Sequence, residues 1–284
     1  MNAVAYAAQL GLSRGWIEFR KSISSAQEMG FTYFFAVVTV AVLYFQRDST
    51  VEGTTLSLAM VTLPSVVGLM LAMGAFTGTA GALTVEREDG TLLRAKAIPN
   101  GMVGYVVGRM LSVALVAVIG VVIVLLPGLY VVPDLAATGV VGWLTLFWVI
   151  VLGLLATMPW GVIIGSIAKS PNSLFGLAML PIMILTTISG IFYPISAMPG
   201  WVQAIAQMFP VYWLGLGVRS AFLPDMAAAA EIAGSWRTLE TIVVLGAWAV
   251  AGLLLAPPIL RRMARRESGS DVEQRRQQAL QRYG

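Results

Sequence analysis

A run of four consecutive charged residues at positions 86–89 opens the motif EREDGT in this 284-residue chain. Gly90 and Thr91 complete the motif, and Arg94 follows one helical turn later. Carboxylates beside arginine form charge-assisted hydrogen bonds, either within a chain or with a partner. The chain has no histidine and no cysteine, which removes the commonest general base and every thiolate nucleophile or metal ligand. These residues therefore offer charge-assisted pairs to a partner and do not indicate a reaction centre.

The composition predicts which elements must position this motif. Hydrophobic residues make up 58% of the chain and charged residues 11%, whereas soluble domains have about 45–50% and about 25%. Apolar runs of roughly 18 or more residues indicate membrane-spanning helices. The sequence therefore predicts an all-α integral membrane protein with six transmembrane helices, the first only narrowly long enough. The predicted spans are residues 29–45, 56–84, 110–132, 140–168, 174–193 and 242–260.

The basic residues predict the orientation of these spans. Fifteen lysines and arginines fall on one side of the membrane: before span 1, between spans 2 and 3, between spans 4 and 5, and after span 6. The loops on the other side contain only three, Arg47, Arg219 and Arg237. The positive-inside rule then places both termini in the cytoplasm. No charged residue falls in the middle of a span, so the ion or proton relays of coupled transporters have no candidate residues here. Any driving force should come from outside the membrane.

The first 28 residues form the first of three predicted parts of the chain. Leu12, Trp16, Phe19 and Ile23 share one apolar helical stripe, and charged residues take another face, which is typical of a helix lying in the membrane interface. A simple membrane anchor explains the pattern equally well. Residues 29–260 form the transmembrane part. Residues 261–284 form a basic cytoplasmic tail, which topology explains without nucleic-acid binding.

Two loop segments carry most of the remaining information. Gly90 suits the end of one helix, and Thr91 begins a short one that Pro99 closes, so residues 91–97 should form a two-turn helix able to pass force from a soluble partner. From the residues alone, solvated cytoplasmic charges that follow the positive-inside rule are the preferred explanation. Residues 190–223 are too apolar for an exposed loop, yet prolines divide them into short pieces. Such pieces fit broken helices dipping into the outer leaflet, although an aromatic belt also explains their aromatic residues.

In their order and topology, the motif at residues 86–91 and the segment at residues 190–223 resemble the ABC type-2 transporter permeases. The resemblance covers nearly the whole chain and is closest to the bacterial drug- and antibiotic-efflux branch, similar to daunorubicin-resistance permeases. It implies a role for each segment. The implied residues are Leu12, Trp16, Phe19 and Arg20 for a connecting helix; Glu86, Arg87, Glu88, Gly90, Thr91 and Arg94 for coupling to an ATPase, within a coupling helix at about 86–98; Phe192, Tyr193, Pro194 and Trp201 for an outer gate in a re-entrant hairpin at about 194–214; and Met70, Met73, Phe76, Met183 and Thr187 for the substrate path.

The resemblance also implies partners. No GxxxxGK[ST] phosphate loop occurs in the chain, so ATP and Mg²⁺ should bind to a separate ABC ATPase present in two copies. This chain itself should bind no cofactor and no metal. A second permease copy, or a similar permease, would complete an exporter in the bacterial plasma membrane, with a hydrophobic drug, antibiotic or lipid-like cargo and surrounding membrane lipid. A lipid-modifying membrane enzyme and a non-transporting partner in a sensor or assembly complex are the alternatives.

Overall fold

A computed structural model describes residues 3–51, 56–168, 171–191 and 194–266. Within these ranges the regular structure is helical, apart from one isolated β-bridge between Thr50 and Ser57. The helices, in chain order, are α1 (Ala3–Ser24), α2 (Ala26–Gln46), α3 (Leu58–Glu88), α4 (Thr91–Lys96), α5 (Gly101–Val131), α6 (Pro133–Ala136), α7 (Val140–Ile167), α8 (Pro171–Leu174), a π-helical turn (Phe175–Met179), α9 (Leu180–Thr187), a 3-10 turn (Ile195–Ala197), α10 (Gly200–Met208), α11 (Pro210–Phe222), two further 3-10 turns (Asp225–Ala230 and Ile232–Gly234) and α12 (Thr238–Arg266).

Five of the described helices, α2, α3, α5, α7 and α12, are long and apolar enough to cross a membrane. This confirms the all-α membrane class. The fifth predicted span, residues 174–193, is shorter than expected. The helical path from Pro171 to Thr187 contains a π-helical turn and rises about 25 Å, against roughly 30 Å of hydrocarbon. It ends before Gly190, whose φ of +76° is the left-handed conformation that terminates helices.

Helix α3 is the centre of the bundle and packs against α2, α5, α7 and α11. Its closest neighbour is α7, because α7 has glycines where the two backbones meet. A Cβ atom on Gly161 would lie 2.4 Å from the carbonyl oxygen of Phe76, and one on Gly165 would lie 2.7 Å from that of Ala80. Small residues at helix crossings permit this close approach inside a membrane.

Helix α1 packs lengthwise on α5 through a second glycine contact. A Cβ atom on Gly11 would lie 2.3 Å from the carbonyl oxygen of Gly104, and one on Gly15 would lie 2.4 Å from that of Gly108. We call these four residues the glycine seam. The sequence predicted that the apolar stripe of α1 lies in the membrane interface, and it did not predict this contact with α5.

Only part of that predicted stripe is buried within the chain. Phe19 is buried, whereas Leu12 and Trp16 are 47% and 51% exposed. The buried face runs through Ala7, the two seam glycines of α1 and Phe19. Close contact between backbones, rather than apolar area, therefore determines how α1 packs on α5, and a location of the exposed stripe residues in the membrane interface stays a prediction.

Helices α10 and α11 form the segment predicted as an outer hairpin. They meet at Phe209, which is extended, and Pro210 begins α11. Nearly every residue of α11 is buried, and the helix packs against α3, α7 and α12. The segment therefore contributes a core helix that continues to Phe222, beyond the predicted limit at residue 214. Its depth in the membrane, like the orientation of the termini, stays a prediction.

Candidate functional site: the charged junction and helix α4

A group of charged and polar side chains centred on the buried Glu86 joins α1, α3 and α5 at the end of the bundle where α3 ends. We call Arg14, Glu18, Glu86, Tyr105 and Arg109 the charged junction. The Glu86 carboxylate accepts hydrogen bonds from the Tyr105 hydroxyl at 2.5 Å and from Nη2 of Arg109. Nη2 of Arg14 lies 3.5 Å from Oε1 of Glu86. One carboxylate of α3 thus contacts cations from both neighbouring helices.

Glu18 completes the junction from the side of α1. Its carboxylate accepts a hydrogen bond from Nε of Arg14 at 2.7 Å and lies 3.5 Å from Nη1 of Arg109. Glu86 is 5% exposed, so its charge would be costly without these partners. The glycine seam brings α1 close enough to α5 for Arg14 and Glu18 to reach the site. The junction therefore links three helices through charges that pair with one another, and Nε of Arg109 is its one buried side-chain atom without a described hydrogen-bond partner.

Arg87 fastens the end of α3 to a different neighbour. Its Nη1 donates to the carbonyl oxygens of Gly165, Ser166 and Ala168 at 3.2, 3.1 and 2.7 Å. These carbonyls belong to the last turn of α7, where helix carbonyls lack internal partners and a cation interacts favourably with the helix dipole. Arg87 therefore acts as a cap on α7.

Helix α4 is mounted directly on this fastened end of α3. Gly90 adopts a left-handed φ of +76° and turns the chain, and Asp89 accepts a hydrogen bond from the Thr91 backbone nitrogen at 2.8 Å. Leu92 and Ala95 are buried in a cluster shared with α3, α5, α7 and α12. The structure thus has a short helix at Thr91–Lys96, where the sequence predicted residues 91–97.

The six predicted coupling residues divide into two groups in the structure. Glu86 and Arg87 are buried and bonded inside the chain. Glu88, Gly90 and Thr91 are half-buried, and Arg94 is exposed, where its Nη2 donates to Oγ1 of Thr91 at 3.1 Å. Contact with an ATPase stays a prediction for all six. In this conformation the first two can support such a contact only by positioning α4.

Sequence reasoning missed Tyr105 and Arg109, which complete the junction. They lie four residues apart near the start of α5, so they share one helix face. The structure places both against Glu86. Two polar side chains at this spacing in an otherwise apolar helix were the available signal.

The predicted path residues lie in different surroundings. Met70, Met73 and Phe76 are half-buried and pack against the main core. Met183 is 51% exposed, and Thr187 is exposed, with its hydroxyl donating to the Met183 carbonyl oxygen at 2.9 Å. A shared path along these five residues stays a prediction.

The predicted outer-gate residues are only partly described. Phe192 and Tyr193 lie outside the described residues. Pro194 is exposed, and Trp201 is 69% exposed in the first turn of α10. The remaining connecting-helix residue, Arg20, is exposed on α1. Gate and connecting roles both stay predictions.

A second buried ion pair was also missed by the sequence reasoning. Arg219 of α11 donates from Nε to Oε1 of Glu231 at 2.6 Å, and the two side chains are 2% and 8% exposed. Arg219 was counted among the charges of the outer loops, but the burial of α11 encloses it. The described residues contain no group of three or more His, Cys, Asp or Glu that could hold a metal.

Fold and site together define a polytopic α-helical membrane protein with a short helix fastened at one end of the bundle. Residues 7–223 match the family model described as ABC-2 type transporter. The chain therefore belongs to the ABC-2 type transporter family and is a membrane component of a transporter. The match ends just after α11 and does not include α12. No match was found in a comparison with curated proteins.

Proposed function

We propose that this chain is the permease subunit of an ATP-driven exporter, and that α4 is its contact with a separate ABC ATPase. Family membership supports a transport role, and the sequence has no phosphate loop of its own. The observation that supports the coupling assignment is the way in which α4 packs against the end of the bundle. Its buried side chains, the left-handed Gly90 and the charged junction behind it make a rigid connection to the central helix α3.

Rigidity matters because a coupling element must transmit displacement. A force on α4 reaches α3 through the Leu92–Ala95 face and the turn at Gly90. From the end of α3 it passes through Glu86 into α1 and α5, and through Arg87 into α7. Packed cores transmit strain because they are close-packed and hardly compressible. Movement of α4 should therefore move four helices together.

The outward face of α4 indicates the kind of surface that it contacts. Arg94 and Lys96 are exposed, and Ile98, just beyond the helix, is 62% exposed. An apolar anchor beside basic residues fits an ATPase cleft with acidic walls and an apolar floor. Arg20 on α1 adds a further exposed cation. We propose two such ATPase subunits, bound to two copies of this chain or to this chain and a similar permease.

The experiment reverses the charge on the exposed face of α4 and leaves the buried residues Leu92 and Ala95, which attach α4 to the bundle, unchanged. The double variant Arg94→Glu/Lys96→Glu should lose co-purification with the ATPase and stimulation of ATP turnover in nanodiscs. Arg47→Glu, a reversal at the opposite end of the bundle, should keep both. Unchanged turnover and complex formation in the double variant, with the permease folded, would remove α4 from the contact.

Export of a hydrophobic drug, antibiotic or lipid-like cargo is tested separately. Proteoliposomes containing chain and ATPase should move a fluorescent hydrophobic cargo across the bilayer only with ATP. ATP turnover with no cargo movement across a broad cargo panel would favour the non-transporting partner. Chemical change of a lipid by the chain without the ATPase would favour the membrane enzyme.

A further inference from the structure

A cavity of about 150 Å³ lies beside the Arg219–Glu231 pair, where α3 begins. Its volume is far above the ~10–15 Å³ that one water molecule requires. The walls are mainly apolar, and both charged side chains line it together with Leu56, Val61, Gly190, Ile191, Leu223 and Met226. Val61 at the cavity and Glu86 at the charged junction both lie on α3, so the two sites are about 38 Å apart along the helix.

The described residues bond to only part of the Arg219 guanidinium. Nε is bonded to Glu231, but neither Nη1 nor Nη2 has a hydrogen-bond partner among the described residues. Two glycines leave room around these atoms. A Cβ atom on Gly215 would lie 3.1 Å from Nη1, and one on Gly190 would lie 3.5 Å from Nη2. The side chain is 2% exposed, and buried donors of this kind normally find a partner.

Glu231 shows the complementary pattern. Its Oε1 accepts from Arg219, while Oε2 has no partner within the described part of the chain. The pair is electroneutral, so the cavity offers unused donors and an unused acceptor with no excess charge. A simple anion would suit the donors but would face the Glu231 carboxylate. A group that carries an oxyanion and an ammonium a few atoms apart would satisfy both residues.

We propose that this cavity binds the headgroup of a zwitterionic phospholipid, with its phosphate on Nη1 and Nη2 of Arg219 and its primary ammonium on Oε2 of Glu231. A lipid is favoured over a free metabolite because the walls are apolar and Met226, which lines the cavity, is 62% exposed. The proposal goes beyond the proposed function. It does not rest on it, because binding needs neither ATPase nor ATP.

The test measures lipid retention by the full chain in detergent, by native mass spectrometry. The probes are phosphatidylethanolamine, phosphatidylcholine and phosphatidylglycerol with identical acyl chains. Wild-type chain should retain phosphatidylethanolamine about tenfold better than the other two, the factor expected for one charge-assisted hydrogen bond. The choline ammonium has no N–H to donate, and the glycerol headgroup has no ammonium.

Variants assign the preference to the cavity. Arg219→Gln and Glu231→Gln should each abolish it, whereas Arg47→Gln, which removes an exposed charge outside the cavity, should not. Val61→Phe should also abolish the preference, because the larger side chain fills the cavity while both charged residues are kept. This variant keeps the test decisive if the Arg219 variant fails to fold. A purely structural ion pair would show no headgroup preference in any of them.

Three results would overturn the proposal. The first is equal retention of the three lipids by wild-type chain, and the second is a preference that persists in Val61→Phe and Glu231→Gln. The third is displacement of the lipid by an equal concentration of soluble glycerophosphoethanolamine, which would assign the cavity to a free zwitterion instead. Loss of ATPase coupling in the α4 double variant leaves all these measurements unchanged, so the two proposals fail independently.

Discussion

Groups of charged side chains lie at both ends of α3, and they differ in how many of their polar atoms have partners within the chain. At its C-terminal end, Glu86 contacts Tyr105, Arg109 and Arg14 from two neighbouring helices. Near its N-terminal end, Arg219 and Glu231 contact each other through one described hydrogen bond and leave three side-chain atoms without a described partner, against one, Nε of Arg109, at the charged junction. The Arg219–Glu231 pair is the more deeply buried of the two groups: its side chains are 2% and 8% exposed, whereas those of Arg14, Glu18 and Arg109 are 40%, 23% and 20% exposed.

The difference separates a structural role from a binding role. A buried polar network that satisfies its members rigidifies the protein, whereas unused buried atoms are costly and call for an explanation. The charged junction therefore suits the mechanical task of holding three helices beside α4. The Arg219–Glu231 pair suits recognition, because its unused atoms line a cavity. Four measurements test this contrast.

The largest effect should come from removing the centre of the charged junction. Glu86→Ala leaves Arg109 and the Tyr105 hydroxyl without their shared acceptor, and losing one partner of a buried ion pair costs about 3–5 kcal/mol. Glu88→Ala, on the same helix turn but half-buried, should cost below about 1 kcal/mol. Equilibrium unfolding in mixed micelles measures both. Similar losses would contradict the structural role of the junction.

Replacing both members of the Arg219–Glu231 pair should not lower the free energy of unfolding, in contrast to Glu86→Ala. Arg219→Met/Glu231→Met should leave the free energy of unfolding unchanged or raise it by about 1–4 kcal/mol, as for other buried ion pairs replaced by apolar residues. The matched double variant Glu86→Met/Arg109→Met should destabilise, because Arg14, Glu18 and Tyr105 lose partners. If both double variants behave alike in the same unfolding assay, the contrast between the two ends fails.

The glycine seam that delivers Arg14 and Glu18 to the junction gives the next largest effect. In Gly15→Ala the new Cβ atom would lie 2.4 Å from the Gly108 carbonyl oxygen, so α1 must shift, at a cost of about 1–3 kcal/mol. Gly30→Ala in α2 meets open space and should gain about 0.5–1 kcal/mol from helix propensity. The thermal midpoint of Gly15→Ala should therefore lie below that of Gly30→Ala. The reverse order would contradict the role of the glycine seam.

The smallest effect should come from the edge of the junction. Arg14 has a 40% exposed side chain and lies 3.5 Å from Glu86, so solvent screens its interaction. Arg14→Gln should cost at most about 1 kcal/mol, and raised salt should reduce that cost. A loss as large as that of Glu86→Ala, independent of salt, would show that Arg14 is a core member of the junction.

Local signals in the sequence were sufficient for the class of fold and for several elements. Composition and apolar run length predicted an all-α membrane protein, because a bilayer demands long apolar helices wherever they pack. Helix α4 was predicted to within one residue, since Gly90 and Pro99 act on their own neighbourhood. The short fifth span was not foreseen, because apolar content alone does not show where a helix ends.

Only the tertiary structure decided which residues meet. Glu86 bonds to residues 19 and 23 positions away, and Arg87 to carbonyls 78 to 81 positions away, distances over which sequence patterns carry no pairing information. The buried face of α1 was missed because glycines add no hydrophobicity and acquire their role only against α5. Arg219 was counted with the outer-loop charges because its burial depends on α3, α7 and α12 enclosing α11. Composition and local pattern thus determined the class and the elements, while contacts between distant segments decided which charges support the fold and which line the cavity.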